Sequence, residues 1–105
     1  MSQSAAQWCS TRVATVPGAL GEAMQREVST APDESRVFAT LAAAGCRALE
    51  RAVERSGRRP ETALDLLVAD AFLTYACEAA AVEAEDVAAA LTDVLVRVSE
   101  VESWA

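Results

Sequence analysis

The sequence predicts an all-α fold, a compact bundle of four main helices plus a short N-terminal helix. Apolar residues recur at helical spacing over most of the 105 residues. No window alternates between apolar and polar residues, and the β-branched residues do not cluster as they do in strands. The length fits one domain over residues 1–105, and the short connections favour mostly antiparallel neighbours.

Two breakers divide the first part of the chain. Residues 4–15 predict a short helix, and the Val-Pro-Gly sequence at 16–18 separates it from a weaker apolar stripe over residues 20–28. The sequence Ser-Thr-Ala-Pro-Asp-Glu at 29–34 is typical of a helix start. Its serine and threonine are good caps, and its proline suits the first helical turn.

Three helices are predicted in the rest of the chain. The third covers residues 33–56, and Gly57 suits its end while Pro60 suits the first turn of the fourth. The acids of Val-Glu-Ala-Glu-Asp-Val at 82–87 mark the start of the last helix, because carboxylates favour the positive end of a helix dipole. The apolar stripe of this last helix is predicted to comprise Val87, Leu91, Val94, Leu95, Val98 and Val101.

The fourth helix is apolar on nearly every side. Between residues 66 and 82 only Asp70 and Glu78 are charged, and with Thr74 they define a narrow polar sector. A membrane span needs about 20 apolar residues almost free of charge, so this stretch predicts no membrane insertion. A helix on the outside of a small bundle normally hides less of its surface. This helix is therefore predicted to lie centrally or to carry a second contact surface.

The composition excludes several kinds of chemistry. The chain has no histidine, so Ser-His-Asp or Cys-His catalytic groups and carboxylate–histidine metal sites cannot form within it. The three cysteines lack the spacing of a zinc site, and we predict no metal and no other cofactor. The net charge of −7 disfavours binding to nucleic acid or to an anionic membrane.

The same composition predicts a bacterial protein of the cytoplasm. Lysine, isoleucine and asparagine are absent, and their codons are rich in A and T, which a GC-rich bacterial genome avoids. The first ten residues show no positive region followed by an apolar segment, so no signal peptide is predicted. Cysteines without an obvious pairing fit a reducing compartment.

Two groups of residues are candidates for binding a partner. Val96 and Trp104 fall off the main stripe of the last helix. Trp104 is predicted either to pack against Trp8 and close the bundle or to form with Val96 an exposed apolar patch, which is typical of a partner surface. Arg58 and Arg59 belong to a basic cluster with two interpretations. The cluster is either favourable charge at a helix C-terminus or a docking patch for an acidic partner or a phosphate. Its other members are Arg47, Arg51 and Arg55.

The fourth helix carries the candidate ligand-binding residues Asp70, Phe72, Thr74 and Tyr75. In one interpretation, Asp70 lies on a solvent-facing stripe and the two aromatic side chains belong to the core. In another, the aromatics and nearby alanines line an apolar pocket. In a third, a buried Asp70 acts as an acid or binds a cation.

We therefore predict a small, non-enzymatic interaction protein that forms a homodimer and binds a protein partner. One alternative is a small-ligand-binding bundle with an apolar pocket near Phe72 and Tyr75. The other is an enzyme that works without histidine, around Asp70 or a pair of carboxylates. No catalytic residue is assigned.

Overall fold

The computed structural model describes residues 4–13, 16, 18–30, 34, 36–55 and 59–102. Within these ranges there are five α-helices and no β-strand, which confirms the predicted all-α bundle. The helices are α1 (Ala5–Val13), α2 (Gly18–Thr30), α3 (Val37–Glu54), α4 (Pro60–Glu83) and α5 (Val87–Glu102).

Side chains cap α1 and α5 at their first turns. The Ser4 hydroxyl accepts the backbone N–H of Gln7, and the Gln7 side chain accepts the backbone N–H of Ser4, which forms a reciprocal capping box. Asp86 accepts the backbone N–H of Ala89 at 3.0 Å. This capping carboxylate confirms that the acidic sequence between α4 and α5 marks a helix boundary.

The predicted start of the third helix is wrong. Ser29 and Thr30 are the last residues of α2, and both hydroxyls donate hydrogen bonds to the carbonyl of Arg26. Helix α3 begins at Val37 instead, where the carboxylate of Glu83 accepts the backbone N–H groups of Val37 and Phe38. A residue at the far end of α4 therefore satisfies the orphan donors of α3, which no local pattern announces.

Helices α3 and α4 pack antiparallel at the centre of the bundle. Glu83 lies at the start of α3, Gly45 lies against Leu73, and Arg51 pairs with Asp65 near the other end. Small side chains allow the two axes to approach closely. The fully buried alanines at 0% exposure are Ala42, Ala44, Ala48, Ala76, Ala79 and Ala80.

The remaining helices cover this pair. Helix α2 places Met24 in the core, and α1 contributes Cys9. The Arg12 guanidinium lies 3.7 Å from the centre of the Trp8 ring and pairs with Glu78 on α4. The largest fully buried side chains are Phe72, Met24, Leu41, Val68 and Cys9. The radius of gyration of 13.3 Å agrees with the roughly 13 Å expected of a compact chain of about 100 residues.

Helix α5 buries a narrower face than its sequence predicts. Ala90, Val94 and Val101 are buried, but Leu95, predicted to belong to the same stripe, is 68% exposed. Leu95 lies about 100° further round the helix than Val94, beyond the sector that α3 and α4 cover. The length of an apolar stripe is therefore well predicted here, whereas its width is not.

No helix in the described part of the chain is both long enough and apolar enough to cross a membrane.

Replacing Gly45 with alanine should destabilise the protein. A Cβ at this position would lie 2.9 Å from Leu73 Cγ and 3.2 Å from the Leu73 backbone nitrogen, so α4 itself must shift. Overpacking costs about 1–3 kcal/mol, whereas the gain in helix propensity over glycine is about 1 kcal/mol. We expect a net loss near 1 kcal/mol for Gly45→Ala in urea denaturation, and a larger loss for Gly45→Val. An alanine variant as stable as the parent would show that the helix pair is not tightly packed here.

Candidate functional site

The basic row of α3 faces the neighbouring helices. Arg47, Arg51 and Arg55 follow one another at intervals of four residues and so share one side of the helix. Each pairs with an acid of another helix: Glu27 of α2 or Asp65 of α4. The row is therefore an interhelical ion-pair network, and the predicted cluster does more than complement the dipole of its own helix.

Arg51 is the centre of this network. It donates to Glu27 through Nη2 and to Asp65 through Nε, the latter at 3.4 Å. Arg47 adds a second cation at 3.7 Å from Glu27 Oε2, and Arg55 donates to Asp65 Oδ2 at 3.0 Å. The hydrogen bond to Glu27 is the main cause that raises the pKa of Arg51, ahead of the opposing effect of burial. Three helices thus meet through one guanidinium.

Glu27 and Asp65 are the residues that sequence reasoning missed. The Glu27 side chain is only 4% exposed and the Asp65 side chain 13% exposed. A signal existed for Glu27, because it interrupts the apolar stripe of α2 at a position one turn from the buried Met24. A buried carboxylate requires a cationic partner, and an arginine is the suitable one for a planar, hydrogen-bonded pair. Nothing local distinguishes Asp65 from a surface acid.

A half-open pocket of about 360 Å³ lies over the network, between α2, α3 and α4. We call it the arginine pocket. It is lined by Ala23, Arg26, Glu27, Thr30, Arg47, Arg51, Arg55, Glu61, Leu64, Asp65 and Val68. Its polar lining contains four arginines and three carboxylates.

Two other pockets lie on either side of α5. One of about 560 Å³ is formed by the start of α3 and the α4–α5 turn, and one of about 310 Å³ lies between α3 and the end of α5. Arg97 of α5 belongs to the second and forms a bidentate pair with Glu34 at 3.0 and 3.1 Å. The hydrogen bond to Glu34 is the main cause that raises the pKa of Arg97.

The predicted ligand-binding residues lie on different sides of α4. Asp70 and Thr74 are exposed, whereas Phe72 is fully buried in the core. Tyr75 is partly buried and meets Phe72 edge to face, with ring centres 6.5 Å apart. None of the three pockets described above is lined by any of these four residues. Their assignment to a ligand site stays a prediction, and the structure does not bring them together.

The predicted partner-binding residues are only partly described. Val96 is 48% exposed on α5, and Arg59 is exposed just before α4. Trp104 and Arg58 lie outside the described residues.

Two exposed helix faces carry little charge. Between residues 88 and 99 the outer face of α5 has no charged residue and consists of Ala88, Thr92, Leu95, Val96 and Ser99, all exposed. The outer face of α4 carries Asp70 at its centre, between Leu66 and Leu67, which are 48% and 52% exposed, and the exposed Glu78 lies at its edge. Its remaining members are Ala63, Thr74, Cys77 and Ala81. Whether α4 carries a second contact surface stays a prediction.

The cysteines form no disulfide: Cys9 and Cys46 are buried and Cys77 is exposed. Burial raises the pKa of the Cys9 thiol to about 11, against a smaller opposing effect of Arg12. Burial is also the main cause that raises the pKa of Cys46 and the pKa of the Tyr75 hydroxyl, which lies near Cys9. Cys9 is thus a neutral, small apolar residue of the core rather than a nucleophile. Among the described residues, no three or more cysteine or acidic side chains are grouped as metal ligands would be.

The fold and these features define a class of protein: an all-α bundle tied together by ion pairs between partly exposed arginines and buried carboxylates, with sparsely charged faces on two adjacent helices. Comparison with known proteins finds no matching family model and no significant match among curated proteins or solved structures.

Removing Arg51 alone should destabilise the bundle more than removing it together with Glu27. Arg51→Met leaves the buried Glu27 with only the longer contact to Arg47, and we expect a loss of about 2 kcal/mol because the open pocket admits some water. In the double variant Glu27→Leu/Arg51→Met no buried charge is left at position 27, so part of this loss should be recovered. Urea denaturation of the two variants measures the difference. A double variant that is less stable than Arg51→Met would contradict this account.

Stability should fall at alkaline pH. The folded pKa of Cys9 lies above its unfolded value, so its contribution is fully present below pH 9 and is lost as pH rises towards 11. The loss from this thiol alone should reach about 2 kcal/mol by pH 11. Denaturation under reducing conditions at pH 8 and pH 10.5 measures it. Cys9→Ala should show a shallower fall over the same interval, and an equal fall would mean that Cys9 is not the group responsible.

Proposed function

We propose that this protein is a small, non-enzymatic interaction protein that forms a homodimer and binds a protein partner. The observation that carries the proposal is the outer face of α5, where Leu95 is 68% exposed on a helix side that carries no charged residue between positions 88 and 99. Single exposed apolar residues are ordinary, but a continuous uncharged helix face on a chain of net charge −7 is typical of a contact surface.

The charged residues of α5 lie beside this face. Asp93, Arg97 and Glu100 follow one another on the flank of the helix, and Arg97 is already engaged with Glu34 and Asp93. A second copy that packs on Leu95 and Val96 therefore leaves these charges at the rim, where water still reaches them. This division into an apolar centre and a polar rim is characteristic of protein interfaces.

The outer face of α4 supports the same proposal. In a two-fold dimer the same patch is used by both copies, so a self-complementary apolar face is needed. Leu66 and Leu67 supply apolar area on α4 on either side of Asp70, and the small side chains around them allow two helices to approach closely. We propose that the outer faces of α4 and α5 both contribute to the contact between copies.

The protein partner is the less specified part of the proposal. We propose that Val96 and Trp104, with the arginines Arg58 and Arg59 before α4, form the surface that a partner uses. We also propose a bacterial cytoplasmic location, which free cysteines including the exposed Cys77 support.

The oligomeric state tests the proposed dimer. Size exclusion with light scattering over a range of concentrations should show a dimer for the parent protein and a monomer for Leu95→Glu, because each copy would place a carboxylate in the apolar centre. Leu66→Glu tests the face of α4, where it would add a second carboxylate beside Asp70. Val82→Glu is the matched control, since Val82 is 77% exposed but lies on neither outer face. A parent protein that is monomeric at every concentration would remove the dimer.

Circular dichroism and urea denaturation must accompany these measurements. All three substitutions replace an exposed side chain, so helix content should stay the same. The free energy of unfolding should change by less than about 0.5 kcal/mol in the monomeric state. Dissociation by Val82→Glu as readily as by Leu95→Glu would show that added negative charge, and not the outer face of α5, controls association.

A further inference from the structure

We propose that the arginine pocket is a binding site for a small oxyanion, a carboxylate or a phosphate. The inference goes beyond the proposed dimer, because the pocket lies between α2, α3 and α4 and includes no residue of α5 or of the outer face of α4.

The arginines that line the pocket have unused hydrogen-bond donors. A guanidinium has five N–H groups, and the ion pairs to Glu27 and Asp65 occupy only some of those in the pocket. Nη1 of Arg51, Nη2 of Arg47, and both Nε and Nη2 of Arg55 make no hydrogen bond to the described residues. These donors belong to three side chains that line one half-open cavity, so a ligand that accepts several hydrogen bonds matches them.

Ion pairs already hold the arginines of the pocket in position. Glu27 is almost fully buried beneath them, and Asp65 engages both Arg51 and Arg55. A ligand then does not have to immobilise long, free side chains, which is a large part of the cost of binding at an exposed arginine. The two carboxylates act here as positioning residues for the guanidinium groups.

The charge of the pocket lining also favours an anionic ligand. Four of the chain's nine basic residues line the pocket, and with three carboxylates they leave one excess positive charge in a protein of net charge −7. Arg26 is exposed and forms no ion pair with the described residues, so its whole guanidinium is available. The first turn of α4, where Glu61 lies, adds the positive end of a helix dipole to the same wall. A volume of about 360 Å³ suits a small oxyanion with its attached group.

The ion pairs of the pocket determine which arginines can be replaced without weakening the pairing of a buried carboxylate. Replacing Arg47 or Arg51 would remove one of the two cations that pair with the buried Glu27, so neither is a clean test. Arg26 has no ion-pair partner to lose, and Asp65 retains Arg51 when Arg55 is replaced. Glu61 is exposed at the rim and repels an incoming anion, so its neutralisation should strengthen binding.

Isothermal titration at low ionic strength with inorganic phosphate and, separately, with citrate tests the proposal. We expect saturable binding with a Kd on the order of 1 mM for at least one of them, and the two arms distinguish a phosphate from a carboxylate ligand. Arg26→Gln/Arg55→Gln should weaken binding by about tenfold or more, through loss of charge-assisted hydrogen bonds. Glu61→Gln should tighten it by about twofold.

Arg12→Gln is the matched control. It removes one positive charge, as Arg26→Gln alone does, at a site that pairs with Glu78, about 20 Å along α4 from Asp65, and should change the Kd by less than about twofold. If the double variant folds poorly by circular dichroism, Arg26→Gln alone serves, with a smaller expected loss. The proposal is overturned if neither anion binds saturably to the parent protein, or if Arg12→Gln weakens binding as much as the pocket variants do.

Discussion

The close antiparallel packing of α3 on α4 is the constraint on which the rest of the structure depends. It requires small residues along both helices, and at Gly45 there is no room even for a Cβ because Leu73 lies against the backbone. The pair carries most of the buried alanines, so its stability comes from many short van der Waals contacts rather than from a few large side chains. Phe72, Leu41 and Met24 supply the remaining bulk of the core.

This packing also decides where charge is buried. It places Asp65 opposite Arg51 and Arg55 at one end of the pair, and Glu83 against the first N–H groups of α3 at the other. At both ends a carboxylate that would be ordinary on a surface becomes part of the structure. Because such pairs cost desolvation free energy, they specify the relative position of the helices more clearly than they add stability. The same arrangement leaves a cavity lined by guanidinium groups, some of whose N–H groups donate no hydrogen bond to the described residues.

We propose that the function of the protein depends on the exposed faces of α4 and α5 and on the arginine pocket. Helix α4 is apolar on nearly every side, yet a bundle of this size covers only part of it, and α5 presents to solvent a side with no charged residue between positions 88 and 99. The proposed dimer and the proposed oxyanion site use separate regions, so either can be present without the other. The dimer rests on exposed leucines. The oxyanion site rests on guanidinium nitrogens that make no hydrogen bond to the described residues of a single copy.

The sequence by itself determined the helices and most of their ends, since apolar periodicity, proline, glycine and acidic caps act within a few residues of one another. It also identified the arginine row of α3, because a spacing of four residues defines a helix face. What the tertiary structure alone decided is which sides of the helices are covered and which charges meet. Leu95 continues the apolar stripe of α5 but lies beyond the reach of α3 and α4, and Glu83 caps a helix that begins 46 residues earlier in the chain. Asp65 resembles any surface acid until α3 is placed against it. These outcomes depend on contacts between residues far apart in sequence, which short-range patterns do not encode.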